Sequence, residues 1–249
     1  MKISFLLFFI SLSIFSFSGE TVQIKDKVQM VFTEWPPFEF SNGTNVTGCN
    51  VAVIQAVFRD LGIPVDIRSY PWKRCQELAK QGAVDCIFSF GKNKDREAFV
   101  IFPEEPINLS RNVFFFRGNE HFRFNNLTNL AGKKIALTAG YYYGKEFMES
   151  TEFVKDIGPD DIINFRKLKE RRVDLFICDE MVGTYLIRQL GLEKEFSYDK
   201  NALSEIRMYV GFSRKVPGNG ELSIRFSDQL KKLKSSGGYY KILNRYLPK

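Results

Sequence analysis

Twice along this chain, short apolar strands alternate with helices at the spacing of βαβ units, which restricts it to α/β architectures built on largely parallel sheets. Val28, Met30 and Phe32 alternate as a strand that runs into Trp35-Pro36-Pro37, where two prolines without N–H donors end sheet pairing. A helix follows Gly48, with Asn50 as its cap, Val51, Ile54, Val57, Phe58 and Leu61 on one face, and Gly62 and Pro64 to stop it. Residues 65–67 read as a second strand, 73–81 as a short helix ended by Gly82, and 84–90 as a third strand. The pattern restarts with a strand at 134–138, helices at 141–149 and 163–169, a strand at 173–178, and a helix at 181–190 ended by Gly191. The strand openings Ala83-Val84-Asp85-Cys86-Ile87-Phe88 and Arg172-Val173-Asp174-Leu175-Phe176-Ile177 echo each other, as two similar halves would.

Between the halves, residues 112–117 are β-rich, and a matching extended segment recurs at 207–212. Two such crossings let a chain leave one lobe, build a second and return, with a hinge where a few residues absorb the rotation. The tail, 221–247, reads as helical and closes the first lobe. The expected division is a first lobe of residues 19–115 and 208–249 and a second of 116–207.

The N-terminus carries one cation, Lys2, an apolar stretch at 3–10 and a Ser/Phe/Leu-rich run to Phe17. This predicts a cleavable secretory signal over residues 1–18. The rival reading is an uncleaved anchor, which the run barely reaches, since a span needs roughly 17–20 residues. No Cys follows the run, which argues against a lipoprotein. Net charge is +7, about +6 once Lys2 is removed. The Lys and Arg are interleaved with Asp and Glu, without a run of five or six like charges, so the balance gives a weak preference for anionic surroundings and no nucleic-acid stripe. The cysteine spacings match no zinc pattern and the single histidine, His121, lies far from them, so neither a metal nor another cofactor is expected.

Taken in order, Trp35-Pro36-Pro37-Phe38, Gly48, Trp72-Lys73-Arg74, Gly82-Ala83-Val84-Asp85 and Lys94-Asp95-Arg96 form one set of landmarks. Leu130-Ala131-Gly132-Lys133-Lys134-Ile135-Ala136-Leu137-Thr138-Ala139-Gly140 and Val173-Asp174-Leu175-Phe176-Ile177-Cys178-Asp179 form a second. Together they resemble the family-3 extracellular solute-binding proteins, periplasmic receptors that feed polar amino acids and similar molecules to ABC importers. The ending Gly237-Gly238-Tyr239-Tyr240-Lys241-Ile242-Leu243-Asn244-Arg245-Tyr246 resembles the last helix of that family. The resemblance implies a type II periplasmic-binding-protein fold: two α/β lobes, each a mostly parallel sheet flanked by helices, joined by a two-segment hinge.

It also implies a ligand cleft. Arg96 falls where the family holds the ligand carboxylate, a task suited to a guanidinium fork; the bland alternative pairs it with Asp95 or Glu97. Trp35 and Trp72 fall where rings stack on the ligand, although a Trp also serves as core. Asp179 falls where an acid meets the ligand's amino group, and it could equally cap the helix that follows. Ser89, with Phe90, lies in the loop whose hydroxyls bind ligand. Departures from the family pattern are informative. Tyr141-Tyr142-Tyr143 replace small hydroxyl residues, and Tyr141 and Tyr142 would narrow or aromatise the pocket. Phe32 stands where an acid is common, with Glu34 as a nearby substitute, and Arg74 adds a second cation beside Trp72. Cys86 and Cys178 sit in apolar strands as buried thiols, whereas Cys49 and Cys75 lie near cleft loops and form a candidate disulfide in an oxidising compartment.

The expectation is therefore a monomeric periplasmic receptor for an amino acid or small organic acid, with an ABC permease of the inner membrane as partner and no nucleic acid. A micromolar affinity needs about 8 kcal/mol, within reach of one charge-assisted clamp, aromatic burial and water exclusion. The alternative on the same fold is a dehydratase or lyase using Glu34 or Asp179 as an acid or base of raised pKa. A third is a sensor that engages another protein without transport.

Overall fold

A computed structural model describes residues 26–141 and 143–246; the expected signal segment and Tyr142 lie outside them. In chain order the elements begin β1 (Val28–Phe32), β2 (Phe40–Asn42), β3 (Asn45–Thr47), α1 (Cys49–Asp60), β4 (Val65–Ser69), α2 (Trp72–Gln81), β5 (Cys86–Gly91), α3 (Lys94–Glu97), β6 (Val100–Ile101) and β7 (Asn108–Arg117). They continue β8 (Lys134–Thr138), α4 (Lys145–Glu149), β9 (Val154–Gly158), α5 (Asp161–Lys169), β10 (Leu175–Asp179), α6 (Glu180–Gln189), β11 (Phe196–Tyr198), β12 (Ser204–Ser213), α7 (Asn219–Ser235) and α8 (Gly238–Leu243).

The main sheet runs β4-β1-β5-β12-β7-β10-β8-β9. At one end β4, β1 and β5 are parallel, and at the other β10, β8 and β9 are parallel. Two long strands join these blocks and are antiparallel to their neighbours: β12 pairs β5 through residues 208–212 and β7 through 204–208, and β7 pairs β10 through 112–115. The ladder these two strands share lies at 108–112 and 204–208, N-terminal to the crossings expected at 112–117 and 207–212, with Met208 facing Asn108 and Ser204 facing Asn112.

Hydrophobic burial divides the same way. Val28, Met30 and Phe32 of β1 pack with Val53, Ile54, Val57 and Phe58 of α1 and with Phe212, Phe226 and Leu230. Beyond the ladder, Phe114, Ile135, Leu137, Phe147, Leu175 and Ile177 form one cluster and Phe115, Ala136, Phe165, Leu168 and Phe176 another. Phe38 and Cys49, from the first half of the chain, belong to this last cluster, with Trp35, Leu243 and Tyr246 packed against it. Among the described residues, no helix is long and apolar enough to cross a membrane.

Three local expectations need correction. Asn50 does not cap α1; Gly48 does, with φ 124°, and Asn50 is wholly buried with its side chain hydrogen-bonded elsewhere. A Cβ on Gly48 would stand 2.3 Å from the Phe38 carbonyl oxygen, so this turn needs glycine. The helix expected at 141–149 begins only at Lys145, because Gly140 and Gly144 take left-handed φ values of 82° and 102° and Tyr143 turns inward. All four cysteines are free and buried, and Cys49 and Cys75 belong to different hydrophobic clusters, so the candidate disulfide is absent.

Candidate functional site

In open α/β sheets, ligands bind beyond the carboxyl ends of parallel strands, and both parallel blocks present side chains there. At the carboxyl ends of β4 and β5, Trp72 and Arg96 gather on Phe90, which, against the expectation of a ligand-facing ring, is buried within β5 in a hydrophobic cluster. The Trp72 and Phe90 rings lie 5.6 Å apart, and the Arg96 guanidinium sits 5.5 Å from the first ring centre and 5.4 Å from the second. Its Nη1 donates to the Gly91 carbonyl at 2.6 Å. Burial pulls its pKa down, which leaves a guanidinium still fully charged. Neither expected neighbour engages it: Glu97 pairs instead with Lys92, and among the described residues Arg96 has no carboxylate partner.

Deeper in the same block lies a polar knot that the sequence did not announce. Glu39 is 1 % exposed. Its Oε2 accepts from Asn50 Nδ2 at 2.9 Å and from the Ser89 hydroxyl at 2.7 Å, and Asn50 Oδ1 accepts from Asn108 Nδ2 at 2.9 Å. Ser89 holds a left-handed φ of 67° to make this contact. Burial pushes Glu39 up from 4.5 to about 8, outweighing the Ser89 and Asn50 hydrogen bonds, so near neutral pH it is largely protonated. Ser89, expected to face ligand, therefore spends its hydroxyl on this knot.

Trp35, from the first half of the chain, meets the second block at a partly open void of about 10 Å³, room for roughly one water, lined also by Asn112, Tyr141, Tyr143, Asp161, Cys178, Asp179 and Val182. Asp179 ends β10. Its Oδ1 accepts from the N–H groups of Met181 and Val182 at the start of α6, and its Oδ2 accepts from the Ser110 hydroxyl at 2.7 Å and the Arg111 N–H at 3.1 Å. The helix-capping alternative is thus realised, in a residue that also lines the void. Burial raises its pKa to about 6 against those four hydrogen bonds. Tyr143 accepts from the Thr138 N–H, and the Tyr141 and Tyr143 rings stack at 6.4 Å. Asp161 accepts from the Thr138 hydroxyl.

The structure therefore gathers Trp35, Tyr141 and Asp179 at one void, and Trp72, Phe90 and Arg96 in a separate cluster. Arg74 is exposed and reaches Glu77 at 3.5 Å. Glu34 is exposed and bound by the Ser41 N–H and hydroxyl; partial burial is the largest single influence and raises its pKa, but the hydrogen bonds from Ser41 and Ser69 together outweigh it and hold the carboxyl below its ordinary value. Sequence reasoning missed Glu39, Tyr143 and Asp161. Glu39 stands one residue beyond Pro36-Pro37-Phe38, and Asp161 follows Gly158-Pro159-Asp160 at a helix start; position relative to those turns was the available signal.

Two parallel α/β blocks, a two-strand crossing between them and polar groups at the facing strand ends define a two-lobed solute receptor of the periplasmic type II class. The chain belongs to the bacterial extracellular solute-binding proteins, family 3, whose model matches residues 28–249. Among solved structures, it is similar to the second substrate-binding domain assigned to an amino acid ABC transporter of Streptococcus pneumoniae, with 20% identity, 89% of this chain and 100% of that one covered, and TM-score 0.73. The second substrate-binding domain of Lactococcus lactis GlnP, in an open conformation, aligns at 19% identity over 90% of this chain and 96% of that one, TM-score 0.70. A histidine kinase sensor domain with similarity to periplasmic binding proteins aligns at 21% identity over 90% and 97%, TM-score 0.69. None of the curated protein sequences matches the chain significantly.

Proposed function

We propose that this receptor captures a small carboxylate-bearing solute, an amino acid or close analogue, between its lobes in the periplasm and hands it to an ABC permease of the inner membrane. The lobes are residues 19–115 with 208–249, and 116–207, turning on the crossings between them, and the protein works as a monomer. The observation that carries the reading is Arg96: a half-buried guanidinium held by two aromatic rings and one carbonyl, with N–H groups to spare and no carboxylate partner among the described residues. A ligand carboxylate would complete it bidentately, Trp72 and Trp35 would cover apolar surface, and Asp179 would face the amino group.

Catalysis finds less support. Glu34 is exposed with a lowered pKa, and Asp179 already accepts four hydrogen bonds, so neither carboxyl is placed as a free acid or base. The sensor reading has the histidine kinase domain as its fold neighbour, and no side chain here favours it over transport. The test is a thermal-shift and calorimetric screen of the mature protein against amino acids, organic acids, peptides and amines. Arg96→Ala should abolish binding of whichever carboxylate ligand emerges, and Arg96→Lys should not restore it, because an ammonium lacks the fork. Full affinity in both variants refutes the clamp, and consumption of the ligand during incubation refutes the receptor reading.

A further inference from the structure

We infer that the solute is a basic amino acid, whose side-chain cation sits against Asp161 between the rings of Trp35, Tyr141 and Tyr143. This deepens the receptor reading above and rests on it. The void, lined by second-lobe residues together with Trp35 and Asn112 of the first, presents two carboxylates, three aromatic rings and no basic side chain. Such a wall is built for a cation: carboxylates supply charge, and the faces of Tyr and Trp attract ammonium and guanidinium groups.

The two acids are not interchangeable. Asp179 is answered by two helix N–H groups, a hydroxyl and a strand N–H. Asp161 has the Thr138 hydroxyl and the Cys178 thiol as its neutral donors. It is the first residue of α5, where the helix dipole favours an acid, yet the capping task belongs to Asp160, whose Oδ1 accepts from the Ile163 N–H at 2.8 Å. Asp161 is thus free of the end-of-helix role that would explain it, and its carboxyl turns to the void instead. Among the described residues, neither acid forms an ion pair with a Lys or Arg; Lys167, on the same helix as Asp161, pairs with Asp156 instead. Burial, the leading cause, raises the pKa of both, as expected of carboxyls removed from water without a counter-ion.

Charge accounting then separates ligand classes. Arg96 answers one carboxylate and Asp179 one α-ammonium, which balances a neutral amino acid and leaves Asp161 with neutral donors but no counter-charge. A second cation on the ligand supplies it. The void holds about one water in this lobe arrangement, so the side chain enters while the lobes are apart or as Tyr141 moves. Tyr141 is 47 % exposed and directly follows Gly140, which is at positive φ.

The experiment is isothermal titration of the mature protein with L-lysine and L-arginine, their uncharged counterparts L-norleucine and L-citrulline, and putrescine, repeated on Asp161→Asn. The amide keeps an acceptor for Thr138, and its unchanged melting temperature certifies the fold. The expected result is binding of lysine or arginine at least about 30-fold tighter than of the uncharged counterpart, a ratio that falls to within a few-fold in Asp161→Asn. Uncharged amino acids binding as tightly as basic ones would overturn the inference and leave the receptor reading standing. Selectivity retained in Asp161→Asn would overturn the assignment to this carboxylate. Putrescine binding as well as lysine would overturn the Arg96 clamp, and no response to any amino acid would overturn the amino-acid reading and the inference with it.

Discussion

Replacing Glu39 by Gln should change how stability depends on pH more than it changes stability at any one acidic pH. Glu39 ionises near 4.5 when exposed and near 8 in the fold, where burial is the dominant cause. Between those values the folded chain keeps a proton that the unfolded chain releases, so stability falls as pH rises; the contribution is complete below 4.5 and lost by 8. Each pH unit costs about 1.4 kcal/mol, which puts the loss across the interval on the order of 3–5 kcal/mol before relaxation of the site. Gln carries no titrating proton, and its carbonyl can accept the same bonds from Asn50 and Ser89. Urea denaturation of the wild type and Glu39→Gln, from pH 4.5 to 8.5, should give curves that nearly coincide at the acidic end and diverge steadily toward pH 8, with the variant the more stable. Other buried carboxyls, Asp161 and Asp179, contribute to both proteins and cancel in the difference. Parallel curves would mean that Glu39 is ionised in the fold and that an unseen cation or water satisfies it.

Trp72→Ala should weaken solute binding by an order of magnitude or more while lowering the ligand-free stability by about 1 kcal/mol, since the ring is half-buried and its chief contacts are Phe90 and Arg96; a drop of several kcal/mol without ligand would make it a core residue. Gly48→Ala should cost on the order of 2–4 kcal/mol by denaturant midpoint, because it combines a clash at the Phe38 carbonyl with a positive φ, and a neutral result would refute this turn. A thiol reagent should leave all four cysteines unmodified in the native protein and label all four after denaturation; two thiols missing after denaturation would restore the disulfide.

The sequence carried the fold well because strand and helix periodicities are local and the two halves repeat. The parallel strands other than β9 were legible from apolar runs, and Gly82 and Gly191 marked real helix ends. Strand β9 was missed because its side chains, Val154 and Ile157 among them, are largely exposed and give no inward alternation. The helix at the tyrosines was overextended because aromatic residues suit a helix face, and only the backbone angles at Gly140 and Gly144 show the loop. For the site, motif order placed Arg96, Trp72, Trp35 and Asp179 near strand ends but could not say what their hydrogen bonds were spent on. Asn50 read as a cap because that is the usual work of an Asn at a helix start; its burial depends on Glu39, Ser89 and Asn108, contributed by three other segments of the chain.

Asp179 holds two appointments at once. One oxygen anchors the first turn of α6, and the other is tied to Ser110 and Arg111 on β7, within the stretch where that strand passes from one lobe's ladder to the other's. A solute cation drawing on this carboxylate would therefore compete with the clasp that fixes the angle of the crossing strand. Occupancy and lobe angle would be read by the same pair of oxygen atoms, so the receptor would need no separate relay to report that it is loaded.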